Sequence, residues 1–121
     1  DDAPRLDVRI PGLAAQAPER WVLTRGEIQG ARIITSPAEI TAMDGVQYLY
    51  VEGGANTAAS FIAADLVDRI ELYRAPILIG GGRQALGDIG LTDLGGAHGR
   101  WQLAERRQLG SDTYEAYLRI R

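Results

Sequence analysis

The sequence predicts an α/β fold in which a sheet of mixed strand direction ends in an antiparallel hairpin. A nearly continuous run of strand-forming residues over 46–51 leads through a glycine pair into an alanine-rich stretch over 55–66, which is typical of a strand followed by a helix. Two alternating segments, 100–109 and 113–121, flank a short glycine-containing loop, which is typical of a hairpin. The length of 121 residues and the 45% content of hydrophobic residues fit one globular domain.

Composition excludes several kinds of chemistry. The chain has no cysteine, which excludes disulfides and thiolate metal sites, and its single histidine, His98, excludes a site with several histidine ligands. All 13 basic residues are arginine, so lysine Schiff-base chemistry is excluded in this segment. The net charge of −3 argues against nucleic-acid binding, and no apolar run approaches the ~18 residues of a transmembrane helix.

The first residues contain no initiator methionine and no signal-peptide pattern. We therefore expect this sequence to be the interior of a longer polypeptide. The alternative is that it is a mature protein after processing.

The first part of the chain is predicted to form short strands separated by turns. Prolines and glycine interrupt residues 1–20 and leave room for one extended piece over 6–10. Residues 20–25 and 32–35 are rich in strand formers. The Ser-Pro-Ala-Glu sequence at 36–39 predicts a helix of one or two turns, with serine at the N-cap, proline at the first position and glutamate at the third.

The strand over 46–51 is the most strongly predicted element. Its nearly continuous β-branched, aromatic and aliphatic residues predict a central strand that is covered on both faces. The following helix is predicted over 55–66, with Asn56 or Thr57 as its N-cap.

A long strand is predicted over 68–79. Pro76 places an edge or a bend near its end, because proline lacks the N–H that a strand ladder needs. The glycines at 80–82 end this strand, and residues 83–99 are predicted to be irregular.

The junction between the strand over 46–51 and the next helix is a candidate anion site. Glu52 lies at the carboxyl edge of the sheet, and Gly53 and Gly54 precede a helix whose first N–H groups and dipole favour an anion. This arrangement can cradle a phosphate or a pyrophosphate, although it matches neither a G-x-G-x-x-G nor a Walker A motif. Two alternatives are open: in one the glycines form only a tight turn, and in the other Glu52 is a structural carboxylate that caps the helix.

Several segments together resemble the reductase domain of the bifunctional riboflavin biosynthesis deaminase–reductases. They are YLYVEGG (48–54), FI (61–62), LVDRI (66–70) and APILIGGGR (75–83), with DAPRLDVR (2–9) at the start and RQLGSD (107–112) near the end. The resemblance covers nearly the whole chain. It implies a dihydrofolate-reductase-like mixed sheet with flanking helices, and it makes residues 1–121 the C-terminal portion of a reductase domain whose N-terminal part is missing.

The resemblance also implies a reaction. In this family NADPH reduces 5-amino-6-(5-phosphoribosylamino)uracil, a phosphorylated pyrimidine, to 5-amino-6-(5-phosphoribitylamino)uracil. It further implies a cytoplasmic homodimer with a fused deaminase domain upstream, no nucleic-acid or membrane partner, and no activity of this segment in isolation.

Site residues carry over from the family position by position, with no catalytic residue and no metal ligand among them. The resemblance places the substrate contacts at Leu6, Arg9 and Glu52. It places the NADPH contacts at Asp2, Arg25, Gly54, Ala55, Asn56, Thr57, Ala58, Ala59 and Ser60. Arg9 is expected near the ribose phosphate and Arg25 near the 2′-phosphate of the cofactor, because a guanidinium binds phosphate through paired donors.

Two other functions compete with this one. The chain could be a non-catalytic or truncated sheet fragment that serves oligomerisation, or it could belong to another pyrimidine or pterin reductase on the same fold.

Overall fold

The computed structural model describes residues 5–9, 19–23 and 32–121, and these residues fall into two compact units. The first unit contains the described residues up to Leu66 together with residues 84–89. The second contains residues 67–83 and 90–121. Each unit has its own β-sheet, and the chain is therefore an α/β protein.

The first unit is built on a four-stranded mixed sheet. Its strands are β1 (Arg5–Arg9), β2 (Glu19–Leu23), β3 (Arg32–Ile34) and β4 (Tyr48–Glu52). They lie in the order β3-β2-β1-β4, with β2 parallel to β3 and the other pairs antiparallel. The four strands predicted for this part of the chain are confirmed, with ends that shift by a few residues.

The position of β4 differs from the prediction. Among the described strands it lies at the end of the sheet order, with β1 as its neighbour. Tyr48 and Tyr50 are 63% and 49% exposed, whereas Leu49 and Val51 between them are partly buried. The prediction of a central strand covered on both faces is therefore wrong in this unit. A tyrosine side chain can lie on a solvent-exposed face as well as on a buried one, because its ring is apolar and its hydroxyl is polar.

The predicted short helix is a 3₁₀ helix, Pro37–Ala42. The side chain of Ser36 makes no capping hydrogen bond. Instead, the Glu39 carboxylate accepts hydrogen bonds from the backbone N–H and the hydroxyl of Thr35, each at 2.8 Å. These bonds stabilise the charged carboxylate and lower the pKa of Glu39. The predicted capping box between Ser36 and Glu39 is therefore replaced by hydrogen bonds between Glu39 and Thr35, the residue before Ser36.

The helix after the glycine pair is α1, Ala55–Ala63, and it ends earlier than predicted. Asp65 adopts a φ of +54°, its N–H donates to Ile62 O at 3.0 Å, and the N–H of Leu66 donates to Phe61 O at 3.1 Å. This pair of bonds is a Schellman motif, which ends a helix and satisfies its last carbonyls. The N-cap is Gly54, so the predicted caps Asn56 and Thr57 are wrong.

The second unit is a three-stranded antiparallel sheet. Its strands are β5 (Arg69–Arg74), β6 (Trp101–Leu109) and β7 (Asp112–Arg119), in the order β5-β7-β6. The predicted hairpin is confirmed, with Leu109 opposite Asp112 across a two-residue loop. Gly110 has a φ of +61°, as the first position of a type II′ turn requires.

The strand predicted over 68–79 is shorter in the structure. β5 ends at Arg74, and the N–H of Ile77 then donates to Ala75 O at 2.9 Å in a tight turn. Pro76, which lies inside this turn, cannot donate to a ladder. Strand-forming residues therefore continue beyond the strand, and Leu78 is fully exposed.

Tyr114 on β7 holds the three strands of the second unit together. Its hydroxyl donates to Glu71 at 2.9 Å and accepts a bond from Arg69 at 3.0 Å. The Tyr73 ring centroid lies 5.0 Å from that of Tyr114, and the guanidinium of Arg107 lies 5.0 Å from the Tyr114 ring. Only 3% of Tyr114 is exposed, so this polar cluster forms around a buried ring.

No helix in the described part of the chain is long and apolar enough to cross a membrane.

Candidate functional site

The candidate site is the junction between β4 and α1. β4 ends at Glu52, which is exposed, and two glycines connect it to the first residue of the helix, Ala55. The structure therefore confirms that a strand delivers a carboxylate and a glycine pair directly to a helix N-terminus. What the junction can bind depends on the space around each glycine.

Gly53 is required for the close packing of this junction. A Cβ atom at Gly53 would lie 2.8 Å from Cβ of Thr57 and 3.0 Å from both other atoms of that side chain. Thr57 is only 9% exposed and is part of a helix, so it has little freedom to move away. Gly53 thus allows the strand to turn tightly into the helix.

Gly54 has the opposite surroundings. Among the residues that the structure describes, a Cβ atom at this position would meet no atom within 4 Å, and the φ of −78° is one that any residue can adopt. Gly54 O accepts the first intrahelical bond, from the N–H of Ala58 at 3.1 Å, and no side chain caps the helix. The N–H groups that precede Ala58 in the first turn have no acceptor within the helix, as at every helix start. In the described part of the chain, no atom lies within 4 Å of a Cβ built at Gly54, the residue that directly precedes this turn.

The predicted cofactor residues at the start of α1 divide into three groups by their exposure. Gly54 and Asn56 are exposed, whereas Thr57 and Ala59 are buried at 9% and 4% exposure. The remaining three are partly buried: Ala55, Ala58 and Ser60. The hydroxyl of Ser60 donates to Thr57 O at 2.8 Å within the helix. This part of the site therefore presents backbone N–H groups and small side chains, not a set of side-chain ligands.

The predicted substrate residues on β1 lie at different distances along β4. Leu6 is opposite Val51, next to the register position of Glu52. Arg9 is opposite Tyr48, four residues from the position of Glu52 and thus about 13 Å along the strand. The structure brings Leu6 to the Glu52 end of β4 and places Arg9 at the other end. The predicted cofactor residues Asp2 and Arg25 lie outside the described residues.

Sequence reasoning missed one residue at the junction, Gly87. Its N–H donates to Ala55 O at 3.0 Å, although the two residues are 32 positions apart. A Cβ atom at Gly87 would lie 3.1 Å from Asn56 Oδ1, 3.2 Å from Ala55 O and 3.4 Å from Ala59 Cβ. The segment around it is rich in glycine, and no pattern in the sequence distinguishes this glycine from its neighbours.

The chain is similar to known proteins over most of its length. A model of the RibD C-terminal domain family matches residues 1–114. The riboflavin biosynthesis protein RibD of Mycobacterium tuberculosis is 31% identical over an alignment of 126 positions, which covers 92% of this chain and 37% of that protein. The protein of the same name from Haemophilus influenzae is 41% identical over 73 residues, or 60% of this chain and 19% of that protein.

A third relative with the same name matches a shorter part of the chain. The riboflavin biosynthesis protein RibD of Bacillus amyloliquefaciens is 50% identical over 42 residues, which cover 35% of this chain and 11% of that protein. The chain spans less than two fifths of the length of the curated relatives it matches. Since the family model covers all but the last seven of the 121 residues, the chain belongs to the RibD C-terminal domain family.

Proposed function

We propose that the chain is part of a cytoplasmic NADPH-dependent reductase of riboflavin biosynthesis. The proposed reaction converts 5-amino-6-(5-phosphoribosylamino)uracil into 5-amino-6-(5-phosphoribitylamino)uracil on a dihydrofolate-reductase-like fold. Membership of the RibD C-terminal domain family supports the pathway. The structural observation that carries the proposal is the open N-terminus of α1 directly after the carboxylate of Glu52.

The first turn of α1 fits the pyrophosphate of a dinucleotide. The backbone N–H groups of Ala55, Asn56 and Thr57 are the donors that the helix itself leaves without an acceptor. Together with the helix dipole they favour an anion, and the open space at Gly54 lets a phosphate reach them. NADPH would supply the hydride, and this part of the chain would hold and orient it.

Glu52 is proposed to position the substrate. It is exposed at the end of β4, two residues before Gly54, so one ligand could contact Glu52 while another lies on α1. An ionised carboxylate only accepts hydrogen bonds, which suits the N–H groups of a pyrimidine and the hydroxyls of a sugar. We assign it no proton transfer.

Two arginines are proposed as phosphate ligands. Arg9 would bind the phosphate of the substrate, and Arg25 would bind the 2′-phosphate that distinguishes NADPH from NADH. A guanidinium offers paired N–H donors that match two phosphate oxygens. The requirement for a phosphorylated substrate separates this function from that of a pterin reductase.

The test is a Gly54→Ala substitution in the natural full-length protein. The added methyl would occupy the open space over the first-turn N–H groups, and we expect the Kd for NADPH to rise by roughly tenfold or more. The loss of stability should stay below about 1 kcal/mol, because alanine is only a poorer N-cap than glycine. Gly81→Ala is the matched control, since among the described residues an added Cβ at Gly81 also meets no atom within 4 Å, and Gly81 is not one of the proposed site residues.

Two results would contradict the proposal. One is a wild-type protein that does not oxidise NADPH in the presence of the phosphorylated pyrimidine. The other is a Gly54→Ala protein that binds NADPH as tightly as the wild type. Equal turnover of the dephosphorylated substrate would contradict the assignment of a phosphate contact and favour another reductase of the same fold.

A further inference from the structure

Gly87 contacts the same turn of α1 that is proposed to bind the cofactor. Residues 84–89 belong to the compact unit that contains α1, although residues 67–83 and 90–121 on either side of them belong to the other unit. Within this short segment the N–H of Gly87 donates to Ala55 O at 3.0 Å. The segment therefore has a specific attachment point on the helix.

The acceptor of this bond shares a peptide group with a proposed cofactor donor. The carbonyl of Ala55 and the N–H of Asn56 belong to one planar unit and point in opposite directions. Within α1 this carbonyl is also the i→i−4 acceptor for the N–H of Ala59, so the bond from Gly87 is a second restraint on the direction of the Asn56 N–H. It polarises that N–H as well, because hydrogen bonds in a chain strengthen one another.

We infer that Gly87 is a positioning residue that aims the Asn56 N–H at the bound phosphate. This inference rests on the proposed function and adds to it a residue outside the β4–α1 junction. Gly87 touches no cofactor itself and acts only through the Ala55–Asn56 peptide group. The close neighbours of Gly87 explain why a glycine suits this position. Backbone conformation does not explain it, because Gly87 does not have a positive φ.

The surroundings of Gly87 are too tight for a side chain unless its neighbours shift by a few tenths of an ångström. Of the three atoms nearest to an added Cβ, Ala55 O at 3.2 Å and Ala59 Cβ at 3.4 Å are fixed by the helix backbone. Only Asn56 Oδ1, at 3.1 Å, belongs to a side chain that can rotate away. An alanine at 87 must therefore displace the segment from the helix or tilt the first turn, and either movement misdirects the Asn56 N–H.

The test compares Gly87→Ala with Gly81→Ala in the natural full-length protein. For Gly87→Ala we expect the Kd and the KM for NADPH to rise by roughly tenfold, because small misplacements of a binding group weaken it strongly. The kcat at saturating NADPH should stay within about twofold of the wild type, since no group that touches the reacting atoms has changed. Gly81→Ala should change neither value, because an added Cβ at Gly81 has no described atom within 4 Å.

A second measurement does not depend on the stability of the variant. In the wild-type protein, saturation with NADPH should slow the hydrogen exchange of the Gly87 and Asn56 amides together, because the Ala55–Asn56 peptide group links them. Unchanged exchange at Gly87 would overturn the inference, as would a Gly87→Ala protein with wild-type affinity for NADPH. In both cases the wild type still binds NADPH, whereas failure of the proposed function is seen as a wild type that does not bind it.

Discussion

At the scale of single residues, the two adjacent glycines of the junction serve different purposes. Gly53 is enclosed by the side chain of Thr57, and Gly54 adjoins open space. The sequence presents them as an equivalent pair, because a glycine pair predicts a turn without indicating which member faces a neighbour. The packing of Thr57 distinguishes Gly53, whose added Cβ would clash, from Gly54, where among the described residues an added Cβ would meet no atom within 4 Å.

Replacing Gly53 by alanine should therefore affect folding. The added Cβ at 2.8 Å from Cβ of Thr57 must push the strand end and the helix apart. Overpacking of this kind destabilises by about 1–3 kcal/mol, and chemical denaturation of Gly53→Ala would measure it. A free energy of unfolding equal to that of the wild type would show that the junction is looser than the structure indicates. Gly54→Ala is the matched comparison, with a smaller loss of stability and a larger loss of NADPH affinity.

At the scale of elements, the sequence predicted which strands and helices exist better than where they end. The hairpin was predictable because two alternating strands and a Gly-Ser loop all indicate the same turn. The end of β5 was not, because residues 77–79 are good strand formers that have left the ladder. The early end of α1 depends on the left-handed conformation of Asp65, which glycine adopts far more often than aspartate.

The polar cluster on β5 and β7 gives a test of how the second sheet is held together. Tyr114→Phe keeps the buried ring and its contact with Tyr73 but removes the hydroxyl between Arg69 and Glu71. The bond between Arg69 and Glu71 at 3.1 Å can persist, so the loss is limited to the two bonds of the hydroxyl. We expect the free energy of unfolding to fall by about 1–2 kcal/mol.

The control for this substitution is Tyr73→Phe. Tyr73 is 63% exposed, and its hydroxyl is not part of the bonds between Tyr114, Arg69 and Glu71. Its removal should change the free energy of unfolding by less than about 0.5 kcal/mol. Equal effects of the two substitutions would show that the hydroxyl of Tyr114 contributes nothing specific to the sheet.

At the scale of the whole molecule, the candidate site draws on segments that are far apart in sequence. The β4–α1 junction was predictable because a strand, two glycines and a helix follow one another directly. The contribution of Gly87 was not, because it depends on a segment that leaves one compact unit and joins the other. Tertiary packing of this kind has no local signal in the sequence.

The size of the relatives leads to a last prediction. The chain spans 37% of the Mycobacterium tuberculosis protein, and β4 is the last strand in its sheet order among the described strands. A full dinucleotide and a phosphorylated pyrimidine need contacts on several sides, since ligand sites enclose most of the ligand surface. In the proposed site, the first turn of α1 and Glu52 would supply one side. We therefore expect the 121-residue chain alone to show no reductase activity, while the natural full-length protein oxidises NADPH in the presence of the substrate. Parallel assays of NADPH oxidation would measure this difference, and full turnover by the isolated chain would show that these residues contain the whole site.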